Sequence, residues 1–333
     1  MHITRRHFSA MAGLASLTAV TRIAMAQQPI VIKFSHVVTN DTPKGKAALR
    51  FKDLAEKYTN GRVRVEVYAN STLYKDKEEI EALQLGAVHM LAPATSKFAP
   101  LGVKEFEALD LPFAFRDGAH YRGAMTGELG QWLLKHLETK GITGLAFWDN
   151  GFQVMSANKP LLRPSDLMGT KMRISGSKIP DHYFRLLGAI PQTIAFSELY
   201  QSLQTGVVDG CENTASNYLT QKLHEVQKHI SVIDHNHLHY AVIVNAKFWS
   251  AFPADVRENL DRAMQEATAY ENEIAAVENT VALEAIQKSG KTQIHIADPA
   301  ARAEWRTAMM PTWEWAQARV GKDVLELLKA SAK

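Results

Sequence analysis

Apolar residues along the first ninety positions switch between two rhythms, one of period two and one of three to four. Ile30 to Val37 reads as a first strand. A helix follows, with Thr42 as its N-cap and Pro43 at its first position. Ala47, Phe51, Leu54 and Tyr58 form its apolar stripe, and Asn60-Gly61 stops it. Val63, Val65 and Val67 alternate as a second strand, a short helix spans Lys77 to Leu85, and Val88 to Ala92 reads as a third strand. This βαβαβ order predicts a parallel sheet with helices on both faces.

The middle of the chain repeats the plan. Ile142 to Trp148 and Phe152 to Ser156 read as strands around the turn Asn150-Gly151. In Gly169 to Ser175, Lys171, Arg173 and Ser175 share one face of a short strand and Met172 and Ile174 the other. A helix is predicted near Pro180 to Leu187, a strand at Gln192 to Ala195, and a helix from Ser197, its N-cap, to Thr205. Val207-Val208-Asp209-Gly210 closes a further apolar element.

From Pro253 to Lys288 no internal Gly or Pro occurs, and apolar positions from Val256 to Val281 recur at spacings of three and four. One amphipathic helix of this length runs about 54 Å, well beyond the diameter of a small domain. It predicts a helix lying along two lobes; the alternative is two helices broken near Glu271–Glu273. The expected division is residues 27–150 plus 239–278 in lobe I and 151–238 plus 279–333 in lobe II. The fold class is α/β, two lobes with a hinge.

Residues 1–26 read as a targeting segment rather than fold. Arg5-Arg6 with Phe8, an uncharged run from Phe8 to Val20, and Ala24-Met25-Ala26 resemble a twin-arginine signal peptide with its cleavage site. Its removal takes Arg5, Arg6 and Arg22 from the 38 Lys and Arg, which then equal the 35 Asp and Glu. A mature chain of zero formal charge gives no reason to expect nucleic acid or an anionic membrane as partner. Cys211 is the single cysteine, so no internal disulfide forms and packing must hold the fold.

Catalytic signatures are mostly absent: there is no Gly-x-Ser-x-Gly and no Gly-x-Gly-x-x-Gly after a strand. Gly290-Lys291-Thr292 has the tail of a phosphate loop, but Ala285 stands where the first glycine belongs. The paired acids Glu78-Glu79 and Glu271/Glu273 read as solvated helix faces. The strongest enzyme-like feature is His235, His237 and His239 at alternate positions, which could converge on zinc with Asp209 or Glu212 and make an exported hydrolase. No recognised ligand spacing supports that; the preferred expectation is no metal and no cofactor, with His237 lining a cleft. Asp149-Asn150-Gly151-Phe152-Gln153, Phe196 and Asp209 to Asn213 each follow a predicted strand. Ligands of open α/β sheets bind beyond strand ends, so with Arg173 these segments outline a small-anion site.

The chain also resembles a family: the extracytoplasmic solute-binding subunits of tripartite ATP-independent periplasmic (TRAP) transporters, the DctP-type, C4-dicarboxylate-binding group. The likeness covers essentially residues 30–325. It is carried by residues 109–115, 148–152, 169–174, Leu187-Gly188-Ala189, residues 196–210 and Glu212-Asn213. The resemblance implies a non-catalytic periplasmic protein, a monomer, whose two lobes close over a small organic acid and which delivers it to membrane permease subunits. It places Arg173 on the ligand carboxylate, Asn213 beside it and Phe196 packed on the ligand. His36, Asp76 and Lys97 would contribute from the opposite lobe. Gln153 stands where many members carry a second basic residue. The far end of the ligand is then a hydroxyl or keto group, an aromatic, or a carboxylate met by Lys97 or a histidine. A binding protein of an ATP-driven importer shares the two-lobe plan but does not predict the single long helix.

Overall fold

The structure, a computed structural model, describes residues 28–332. The predicted signal peptide lies outside the described residues. Eleven strands among the described residues form two sheets. β1 (Ile30–Ser35), β2 (Val63–Tyr68), β3 (Met90–Leu91), β4 (Ile142–Phe152) and β10 (His237–Asn245) make the first, in the order β2-β1-β3-β10-β4. β5 (Val154–Ala157), β6 (Lys171–Ile174), β7 (Ile190–Thr193), β8 (Gly210–Asn213), β9 (His229–Val232) and β11 (Gln293–Ile296) make the second, in the order β11-β9-β5-β8-β6-β7.

The predicted parallel pairings occur within each half, β2-β1-β3 and β7-β6-β8. The sheets are nevertheless mixed. β10 runs antiparallel to β3 and β4, and β5 runs antiparallel to β8 and β9. The chain passes from the first sheet to the second at Gln153 and returns through residues 233–236. Gly151, at φ +83°, and Asn150 lie inside a continuous β4 rather than in a turn between two strands. Ser197 is not an N-cap: a 3-10 turn Phe196–Glu198 leads into the helix Leu199–Gln204. The apolar run before Gly210 precedes a strand, β8, instead of ending one. Gly210 itself cannot carry a side chain, because a Cβ there would stand 2.0 Å from the Ser156 carbonyl oxygen.

The long helix is unbroken over Ala254–Ser289, 36 residues, and ends on Gly290 in the left-handed conformation. Val256, Leu260, Ala263 and Ala267 pack with Phe34, Phe51, Trp148 and Val242 of the first sheet's core. Ile286, about five turns on, packs with Val154, Cys211, Tyr218 and Ile230 under the second. Polar bonds tie the middle of the helix to the crossover. Asn279 Nδ2 donates to the Asn150 carbonyl at 2.8 Å, and its Oδ1 accepts from Ser216 N at 2.9 Å. The C-terminal helices, with Trp305 and Leu328, join a third core that includes residues of both sheets. Among the described residues no helix is long and apolar enough to cross a membrane.

Candidate ligand-binding site

Strand alternation turns Met172 and Ile174 into the core and leaves Arg173 on the opposite face of β6, where it is 4% exposed. The face does not meet bulk solvent. It meets a cavity between the two sheets, lined by Asp76, Lys97, Gln153, Arg173, Phe196 and Asn213. Six of the eight residues expected at a ligand thus surround one space. Val37 and Val38 at the end of β1, Ser175, and Leu238 and Tyr240 of β10 complete much of the wall.

Two cations face this cavity from opposite sides. Arg173 Nε donates to the Ile194 carbonyl at 3.0 Å, and the guanidinium carbon sits 5.9 Å from the Phe196 ring centre. This single backbone bond fixes the fork and leaves its other donors to the cavity. Lys97 Nζ lies 2.7 Å from Asp76 Oδ2 and also donates to the Ser175 carbonyl; Arg173 is 4.0 Å from the same Asp76 oxygen. Burial works against an ionised Asp76, but Lys97 and Arg173 outweigh it and hold its pKa below the usual carboxylate range. Burial lowers the pKa of Lys97, with Asp76 opposing.

Neutral hydrogen-bonding groups line the second sheet's side. Asn213 Oδ1 accepts from Thr214 N at 2.9 Å and Asn217 Nδ2 at 2.8 Å, so the end left free is its NH2 group. Glu212 is tied down by Tyr183 Oη at 2.5 Å and His235 Nε2 at 2.9 Å. Phe196 N donates to Asp76 Oδ1 at 3.4 Å, Ser96 Oγ and Ser175 Oγ are 2.9 Å apart, and Lys75 pairs with Glu198 at 3.0 Å. Each of these bridges the two sides of the cavity, so the lobes are closed on each other.

Two expected residues lie elsewhere. His36 is fully buried behind Val37 and Val38, edge-on to Phe34 at 6.3 Å, and does not line the cavity. It lies just past the end of β1, where the chain bends and strand alternation no longer sets which way a side chain faces. His237 stacks on Tyr121 at 4.2 Å, with Nε2 3.1 Å from Asp149 Oδ1, on the far side of β10 from the cavity. The histidine triplet does not converge either. β10 begins only at His237, and the three rings face Glu212, Asp149 and Asp110 respectively, the last at 3.8 Å. Among the described residues no three His, Cys, Asp or Glu groups are placed to hold a metal ion.

Two acids read as solvated are buried. Glu79 is 1% exposed and lines the cavity; Glu271 is 0% exposed, inside the long helix's packed face. Lys44, also buried, lies behind the site with Nζ 3.6 Å from the Tyr240 ring centre and 3.0 Å from the Ala92 carbonyl. Their signal was in the pattern: Lys44 precedes Ala47, Ala48 and Phe51 on one helical stripe, and Glu79 precedes Ala82 and Leu83 on another.

Comparisons with known proteins identify the family. The model of the bacterial extracellular solute-binding protein family 7 (DctP) matches residues 34–319. The C4-dicarboxylate-binding periplasmic protein DctP of Rhodobacter capsulatus is 54% identical over 329 residues, covering 99% of either chain. A TRAP periplasmic solute-binding protein from Shewanella oneidensis, solved with bound succinate, superposes with a TM-score of 0.89 at 41% identity, covering 92% of this chain and all of that one. Another from Pseudomonas aeruginosa, solved with bound L-malate, gives 0.84 at 40% identity, over 86% and 99%. The long unbroken helix, the two mixed sheets and the family match agree: this chain belongs to the DctP family of TRAP transporter solute-binding proteins, a periplasmic binding protein and not an enzyme.

Proposed function

We propose that the protein captures a C4-dicarboxylate, of the succinate and malate kind, in the cavity between its lobes and hands it to TRAP permease subunits. Arg173 makes a bidentate pair with one carboxylate and Lys97 meets the other. The observation that carries this reading is the convergence of these two cations, one from each lobe, on one space. Lys97 then supplies the second charge that Gln153, at the usual basic position, cannot. Asn213 and Gln153 add hydrogen bonds and Phe196 packs on the carbon chain.

The closed arrangement follows from the same charges. Asp76 faces both cations, and a dianion between them satisfies Lys97 and Arg173 more fully and stabilises closure. The protein acts as a monomer, its lobes divided as the sequence suggests, and the closed form is what a permease recognises. Relatives support the ligand class: the Rhodobacter capsulatus protein is named for C4-dicarboxylates, and the two solved structures hold succinate and L-malate.

Arg173→Ala tests the assignment. Removing one partner of a buried charge pair costs about 2–5 kcal/mol, roughly 30-fold or more in Kd. Calorimetric titration with succinate and L-malate should show that loss, with an unchanged circular dichroism spectrum. Undiminished affinity in the variant would mean that the carboxylate is held elsewhere.

A further inference from the structure

Three carboxyl groups line the cavity, and two have their partners inside the protein. Asp76 takes Lys97 and Phe196 N; Glu212 takes Tyr183 and His235. Glu79 takes none: neither Oε1 nor Oε2 has a hydrogen-bond partner among the described residues, although the side chain is 1% exposed. A buried carboxyl left in this state is destabilising, the more so if ionised. Such a group in a ligand cavity is placed for something that arrives with the ligand.

The surroundings decide its form. Burial presses Glu79 toward the protonated state; the buried Lys44 opposes this, and Asp76 adds to it. Among the described residues no lysine or arginine nitrogen comes within ion-pair reach of Glu79. A neutral carboxyl offers one donor and one acceptor side by side. The two cavity cations are already matched to the two ligand carboxylates. What remains between them is the ligand's carbon chain, and a group on it that both donates and accepts is a hydroxyl.

We propose that Glu79 exchanges hydrogen bonds with a hydroxyl on the ligand's central carbons, so that the site prefers a hydroxylated C4 diacid to the plain one. The inference rests on the dicarboxylate reading above and deepens it. Succinate fills the cavity but leaves Glu79 unpaired; malate pairs it. Glu79 is therefore a specificity residue, while Arg173 and Lys97 supply affinity common to both acids.

Calorimetric titration of the whole mature protein with L-malate and with succinate tests this before any substitution is made. The expected result is L-malate binding at least about 10-fold more tightly, the value of one buried hydrogen-bonded pair. Glu79→Gln, which keeps a donor and an acceptor, should retain the preference. Glu79→Met, similar in volume but without either, should abolish it by weakening L-malate alone. Equal binding of the two acids by the natural protein, or an unchanged preference in Glu79→Met, overturns the inference and leaves the dicarboxylate reading standing. Binding of neither acid overturns both.

Discussion

His36 shows what burial does to a titratable side chain beside the site. Burial, with Lys44 adding to it, lowers its pKa to about 3, against 6.5 for a free histidine. His239, buried and next to His237, moves the same way. The folded state therefore resists protons that the unfolded chain accepts. Stability from these groups is complete above pH 6.5 and is lost as pH falls from there toward 3, by up to about 1.4 kcal/mol per pH unit for each. Urea unfolding at pH 7, 6 and 5 should show a steep decline, and His36→Leu should flatten it by one proton's worth. A slope unchanged by His36→Leu would contradict the buried neutral imidazole. At this scale the alternation in residues 171–175 was enough to place Arg173. Glu79 and Lys44 were missed because their charge argued for solvent while their helical phase argued for the core. Phase was the better guide: Lys44 meets the Ala92 carbonyl inside the fold, and Glu79 faces the cavity. His237 was misplaced because a strand's two faces are equivalent in sequence until its neighbours are known.

The long helix is the element that the chain's periodicity specified best. No glycine or proline interrupts it, but the stripe read from the sequence drifts off the core: Val277 and Val281 are exposed, and Ala275, Ala282 and Ile286 are buried in their place. Its mid-point is where pattern and structure part. Glu271 sits in the packed face, and its Oε2 accepts from Asp149 N at 2.8 Å. Burial first, then the neighbouring Asp149, raises its pKa well above a normal glutamate. Folding thus favours the protonated acid, and this contribution is full below about pH 4.5 and declines as pH rises. Glu271→Gln keeps the acceptor and removes the titration. It should raise the unfolding free energy at pH 7 by about 1 kcal/mol or more and change it little at pH 4; equal effects at both would contradict a buried protonated acid. Asn279, two turns on, bonds both the crossover strand and the helix that follows β8. Asn279→Ala should cost about 1–3 kcal/mol in the same experiment, since it leaves two backbone groups unmet. The mixed sheets were not legible, because apolar periodicity carries no information on strand direction. β10 and β5 take theirs from the chain crossing between lobes, a long-range event.

At the scale of the molecule, closure rests on few contacts of unequal worth. The Lys75–Glu198 pair is about half exposed on both sides, so water screens it and it contributes little. Lys75→Ala should accordingly change ligand affinity by less than about fivefold. The contacts through Asp76, Lys97 and Ser175 are more deeply set, and the proposed dianion would rearrange them. The lobes and their long helix could be anticipated from the sequence, and so could most of the cavity's ring of side chains. The acids facing that cavity could not, because which carboxyl is partnered depends on both lobes at once. The most direct test of the account is a crystal structure of the protein grown with L-malate. It should show the ligand in the cavity between the sheets, one carboxylate forked by Arg173 at about 2.7–2.9 Å and the other at Lys97. A ligand seated elsewhere, or an Arg173 guanidinium making no contact with a carboxylate, would contradict it.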